Sequence, residues 1–133
     1  EDAMNDAEAE VQQARVERYV DKWFKPLGLG YWHITHRWHR GPYLAWGDAE
    51  VHANTSASAS IQWQYLRAVI DWNLVEIKDR PDDILEEDVG HEAMHIFLAE
   101  MSKSETDEHE ERVATMLARA LRWAVELVER PTT

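Results

Sequence analysis

DILEEDVGHEAMHIFLAEM, residues 83–101, is the stretch from which the rest of the chain is best read. Asp83 and Glu86 make an Asp-x-x-Glu capping box behind Pro81, so a helix is expected over about 84–101. On that helix His91 and His95 stand one turn apart on one face, where two imidazole nitrogens can reach one metal ion. Glu92 sits about 100° round from His91, near such a metal without ligating it. From there it can take a proton from a zinc-activated water and pass it to a leaving amine. The plain alternative is two partly buried histidines beside a solvated glutamate. The surroundings favour the H-E-x-x-H reading: Ala93 and Met94 are uncharged, and Ile96 and Phe97 follow as a buried flank. Gly90 costs roughly 1 kcal/mol of helix propensity and gains nothing unless something must approach closely.

Two imidazoles do not complete a zinc site, and the chain has no cysteine. Any further ligand is therefore His, Asp or Glu. No histidine follows at the longer H-E-x-x-H-x-x-G-x-x-H spacing. SKSETD (102–107) reads as a short connection to a second helix over about 107–129, with Val113, Leu117, Ala120, Leu121, Ala124 and Val128 on one face and Pro131 beyond it. If the hairpin turns near residue 104, residue 95 lies opposite about 113 and residue 91 opposite about 117. Glu110 and Glu111 are the glutamates nearest that level, with Glu108 nearer the turn and Glu126 far past it. By helical angle Glu110 points along the apolar face and Glu111 towards its edge, which favours Glu110 slightly.

HEAMH followed by EERVATMLA resembles the gluzincins, the thermolysin-like zinc peptidases, and especially their small phage and ImmA/IrrE-type forms. In that family the ligand glutamate is followed by a small residue three positions on, a polar one at four, a bulky apolar one at six and a small one at seven. Counted from Glu111 these are Ala114, Thr115, Leu117 and Ala118; counted from Glu110 they are Val113, Ala114, Met116 and Leu117, a poorer match. The resemblance thus implies His91, His95 and Glu111 as ligands of Zn²⁺, Glu92 as the catalytic base and then acid, and a peptide or protein as substrate. It covers about residues 11–128 in architecture and is specific over 84–121. Two departures stand out. Thr115 occupies a position usually held by Asn or Asp, which orients a ligand histidine, and the histidine that stabilises the oxyanion in thermolysin has no counterpart here.

Upstream, residues 6–25 read as a helix through Val11, Ala14, Val16, Tyr19, Val20, Trp23 and Phe24. KPLGLG (25–30) stops it. YWHITHRWHR (31–40) alternates as a strand, Trp32, Ile34 and Trp38 on one side and His33, Thr35, Arg37 and His39 on the other. Between Ala45 and Leu74 the apolar parity switches near Gln64-Tyr65, so two further strands with a turn or bulge are expected. NTSASAS (54–60) fits either a loop or a weakly patterned strand. The order is helix, three strands and a helical hairpin, with no helix crossing between strands. That makes one α+β domain over 1–133, zincin-like by resemblance: an N-terminal helix, a small twisted three-stranded sheet, an active-site helix and a third-ligand helix.

The chain has 133 residues, 26 acidic against 14 basic, and a formal net charge of −12. That balance repels phosphate backbones, so no nucleic-acid partner is expected. No apolar run reaches membrane-spanning length, and EDAMNDAEAE has no signal-peptide pattern, so the expected location is cytoplasmic and no membrane partner is expected. Most of the seven tryptophans are expected in the core or lining a groove. Tyr43, His52, Tyr65 and His109 are candidates to stabilise an oxyanion, each with an ordinary surface role as the simpler account. His33, His36 and His39 resemble a metal cluster, yet His33 and His39 lie about 20 Å apart on an extended strand, which favours a solvated face. The function expected is zinc-dependent peptide hydrolysis. The alternatives are a regulatory or structural zinc protein of the same fold and a metal-free interaction module with a tryptophan-rich groove.

Overall fold

A computed structural model of the chain describes residues 4–41, 55–102 and 107–129; the side chains of 100–114 and of 118, 121 and 125 lie outside the description. Helix α1 runs Asp6–Phe24, opened by Asn5, whose side chain accepts from the Glu8 amide at 2.9 Å, satisfying one of the free N–H groups at a helix start. It buries Ala9, Gln12, Val16, Tyr19 and Phe24. Val11 and Ala14, expected on its apolar face, are exposed. The buried stripe starts from Ala9, and at 100° per residue Val11 faces about 200° away.

Past the 3-10 turn Leu29–Tyr31 come three strands: β1 His33–His39, β2 Ala57–Gln62 and β3 Arg67–Asn73. Their order in the sheet is β1-β3-β2, with β1 parallel and β2 antiparallel to β3. The parity switch is a 3-10 turn, Trp63–Tyr65, closed by Leu66 in the left-handed region at φ 51°. ASASIQ, within or beside the tract that sequence left open, is strand. Val51, Ala53 and the first part of the tract lie outside the described residues.

On the sheet's inner face Ala68, Ile70 and Trp72 of β3 are buried, with Ile34, Trp38, Ala57, Ala59 and Ile61 packed against the same core. His36 belongs to this face too. It stacks on Trp38 (5.8 Å between ring centres) and Trp72 (6.1 Å), and the Trp72 indole donates to its Nδ1 at 3.0 Å. Burial lowers its pKa, partly opposed by Glu17, so it is a neutral acceptor inside the core.

A five-residue helix α2, Leu74–Lys78, follows β3 directly. Sequence alternation carried the strand through Leu74; the structure ends it at Asn73, whose side chain accepts from the Glu76 amide and caps α2. Helix α3 is Asp82–Ser102. It starts earlier than the capping box implies, so Asp83 lies inside its first turn. Glu86 instead accepts from the Trp23 indole at 2.9 Å and pairs with Lys22 at 2.6 Å, tying α3 to α1. Arg15 adds a second tie, to Asp82 at 2.8 Å and to the carbonyls of Ile77 and Arg80. Leu85, Val89, Ala93, Ile96 and Phe97 of α3 are buried in the common core.

Helix α4, Asp107–Glu129, has the expected bounds. Ala120 is buried, whereas Val128, expected on the same face, is 85% exposed at the helix end. Trp123 meets Trp23 edge-on at 6.1 Å. A Cβ at Gly28, which has φ 78°, would collide with the Met116 side chain, so α4 passes close to the end of α1. The chain is therefore α+β, a small three-stranded mixed sheet with helices packed on its inner face. Among the described residues, no helix is long and apolar enough to cross a membrane.

Candidate metal centre

Helix α3 buries one side, Val89, Ala93, Ile96 and Phe97. His91 and His95 therefore fall at the exposed rim and Glu92 between rim and core. The two imidazoles converge: His91 Nε2 and His95 Nε2 lie 2.9 Å apart, their rings nearly perpendicular, 4.4 Å between centres. Two imidazole nitrogens on one tetrahedral zinc stand ~3.3 Å apart, so a small rotation of either ring fits the pair to a shared ion. Without the ion one ring can donate its N–H to the other. Burial, with His91 adding to it, lowers the His95 pKa and favours the neutral form, which is the one that ligates metal.

Glu92 is 5% exposed. Burial raises its pKa, the neighbouring His91 pulls it back, and Asp88 raises it further. A carboxyl whose pKa is raised by burial gives up and takes back a proton more evenly than a solvated one.

Opposite these three residues runs β2. Thr55, Ala57, Ser58, Ala59 and Ile61 close, with His91, Glu92 and His95, a cleft of about 310 Å³. Its existence depends on small side chains: Ala57 and Ala59 face the helix where larger residues would fill the space. Among the described strands β2 is an edge, since only β3 pairs with it, so its outer backbone groups border the cleft. Of the two strands after β1, 57–62 is the one at the edge by the helix, while 67–73 is central.

Buried Asn73 and half-buried Asp88 fix where β2 begins. Asn73, 2% exposed, donates its amide to the Thr55 carbonyl at 3.0 Å, and its backbone N–H donates to Ser56 O at 2.8 Å. The Ser56 hydroxyl donates to Asp88 Oδ2 at 3.1 Å, and Arg80 pairs with the same oxygen at 3.1 Å. The strand wall and the histidine helix are thus locked together one turn before His91. Sequence reasoning passed over Asn73 and Asp88. The Asn at a strand-to-helix junction was the available signal for the first.

Glu110 and Glu111 both lie in the first two turns of α4, but their side chains are outside the described ones, as is that of His109. Tyr43 and His52 fall outside the described residues altogether. Among the described residues no group of three possible metal ligands forms. Thr115, expected to orient a ligand histidine, is exposed. Tyr65, 72% exposed, lines a different cavity on the sheet's outer face and takes no part in this cleft. His33 and His39 stay apart on that outer face, and His39 bonds Asp71 at 2.7 Å. Gly90 borders a second hollow of about 590 Å³ with Trp23, Glu86, His91 and Met94, and a Cβ on it would meet nothing within 4 Å. No family model, no curated protein and no solved structure matches the chain, so the site is interpreted from its own residues.

Proposed function

We propose that the chain, as a single domain of zincin type, is a zinc-dependent peptidase. The observation that carries this is the convergence of His91 and His95 Nε2 at 2.9 Å in a cleft that also contains the buried Glu92 and is walled by an edge strand. His91 and His95 would hold the ion, with Glu111 from α4 as third ligand and Glu110 as the nearest substitute. Zinc bound there supplies Lewis acidity that lowers the pKa of a coordinated water and polarises the scissile carbonyl.

The remaining work falls to the chain. An extended peptide lies along β2, its backbone N–H and C=O groups meeting the edge that β2 leaves unpaired among the described strands. Ala57 and Ala59 leave room for its backbone above the histidines. Glu92 accepts a proton from the attacking water as the new C–O bond forms. It returns that proton to the peptide nitrogen as the C–N bond breaks, and with the water's second proton also passing to that nitrogen a carboxylate and an ammonium group leave. A carboxyl raised by burial performs both transfers better than a fully solvated one.

The test is metal content together with turnover. The purified chain should hold one zinc per molecule and cleave members of a peptide library, and His91→Ala and His95→Ala should each lose both properties. Absence of stoichiometric zinc, or zinc unchanged in His91→Ala, would sink the metal site. Full zinc occupancy without any cleavage would instead favour the regulatory or structural zinc protein.

A further inference from the structure

The sheet's outer face has a chemistry unlike the rest of the molecule. The pairing registers align Gln62, Arg67 and His33 across the three strands, and Ser60, Val69 and Thr35 in the next row on the same face. These residues, with Tyr65 rising from the turn beside them, line a cavity of about 850 Å³. The lining offers N–H and O–H donors and, among the described residues, holds no carboxylate. In a chain with 26 acidic residues, the three strands contain only Asp71, and that one is already met by Arg37 and His39.

Arg67 is the exposed charge of this cavity. Cations elsewhere reach carboxylates: Arg15 and Arg18 share Asp82, Lys22 meets Glu86, Arg40 meets Asp6 and Lys78 meets Glu8. Arg67 makes no such pair among the described residues. An unpaired guanidinium amid neutral donors suits a ligand carboxylate, which it can bind with two parallel hydrogen bonds.

The cavity and the metal-site cleft lie on opposite faces of β2 and share one lining residue. Ile61 lines both, and from Ala59 to Gln62 the strand advances three residues, about 10 Å. A peptide extended along β2 past His91 and His95 reaches the Gln62 end within three or four residues.

We propose that this cavity is an accessory site for an acidic segment of a peptide, held by Arg67 and the hydroxyl and amide donors around it. The proposal rests on the hydrolytic reading only in taking that peptide as the substrate; acidic residues would then lie three or four positions from the cleaved bond. Nucleic acid fits less well. A phosphodiester chain needs several cations along its path, and Arg67 is the one lysine or arginine among the described residues of this lining.

The test uses the full chain in the Glu92→Gln form, which binds without turning over. The probe is a fluorescent ten-residue peptide with three consecutive glutamates, compared with the same peptide carrying glutamines. The glutamate peptide should bind about tenfold more tightly at low salt, and that advantage should shrink as salt rises. Arg67→Gln should bring the two peptides to parity, Arg67→Lys should keep part of the preference, and Arg122→Gln, on distant α4, should leave it intact. Equal binding of the two peptides, a preference that survives Arg67→Gln, or tighter Arg67-dependent binding of a single-stranded oligonucleotide overturns the proposal. Failure here is separable from failure of the hydrolytic reading. Cleavage without acidic preference removes only the accessory site. An Arg67-dependent preference in a chain that cleaves nothing sustains the site and removes the hydrolysis.

Discussion

Histidine is gathered with acid in two places on opposite sides of the sheet, and the two clusters are built on opposite principles. On the outer face Asp71 accepts from Arg37 through both oxygens, at 2.7 and 3.0 Å, with His39 at 2.7 Å. The carboxylate is buried, 8% exposed, and its partners surround it. On the inner side His91 and His95 turn their Nε2 atoms towards each other, and the adjacent Glu92 is buried with its pKa raised. The first cluster is complete as it stands. The second brings like groups together: neutral, one ring can donate its N–H to the other, and with both lone pairs turned inward the two can share a cation. Complementary groups that satisfy one another form a strut, whereas convergent donors opening on a cleft suit a ligand.

The strongest way to break that contrast is to alter one carboxylate in each cluster. Glu92→Gln keeps the shape and removes the proton carrier. Peptide turnover should fall by about 10²–10⁴-fold while zinc content and melting temperature hold. Unchanged turnover would place Glu92 with Asp71, as a group serving structure alone.

The next largest effect separates the two glutamates of α4. Glu111→Gln should weaken zinc by more than the about 10–100-fold that loss of an outer-shell partner costs, and Glu110→Gln should change it only a few-fold. A competition titration against a chelator reads both. The reverse order would make Glu110 the ligand, as helical angle favours, against the family resemblance that favours Glu111.

Asp71→Asn should do the opposite of Glu92→Gln, costing stability and sparing zinc and turnover. Removing the carboxylate leaves Arg37 and His39 without their acceptor, a loss of about 1–2 kcal/mol given that Arg37 is largely exposed. The pH dependence has a definite sign. Burial would raise the Asp71 pKa, but the bonds from Arg37 and His39 outweigh it and hold the carboxyl below its ordinary value. The unfolded chain therefore takes up this proton at higher pH than the folded one. The stabilisation is complete above the ordinary carboxylate range and is lost as pH falls through the lowered folded value. Urea melts from pH 6 down to pH 2 should show wild type and Asp71→Asn converging at the acid end. A constant gap across that range would mean that the folded and unfolded chains bind this proton equally, so that Arg37 and His39 do not lower the folded pKa.

Much of this molecule could be read from its letters, and the failures share a cause. Helices α1 and α4 agree with expectation within a residue, because capping groups and 3.6-residue periodicity are local. The site's core, His91, Glu92 and His95, is legible for the same reason: one helix turn sets its spacing. What sequence could not supply is pairing between distant segments. The β1-β3-β2 order puts the last strand in the middle, and only that register brings Arg37 opposite Asp71. The small residues of ASASIQ carry no alternation, yet they make the cleft wall. Glu86 could serve a local cap or Trp23 and Lys22, and the tertiary partners prevail because they join two helices.

Gly90 yields the smallest effect and tests the same contrast most finely. A glycine inside α3 lowers helix stability, and the structure gives it no steric excuse, since a Cβ would meet nothing within 4 Å. Were the position purely structural, Gly90→Ala would stabilise the chain by about 0.5–1 kcal/mol and leave turnover unchanged. But Gly90 precedes His91 and borders the hollow that the histidine shares with Trp23 and Met94. If a substrate side chain enters that hollow, the added methyl occupies its path, and KM should rise with kcat held. Stabilisation without a KM change would assign the position to structure alone. Stabilisation with a raised KM would mark the hollow as part of the substrate's footprint and extend the ligand-binding region to the second side of His91.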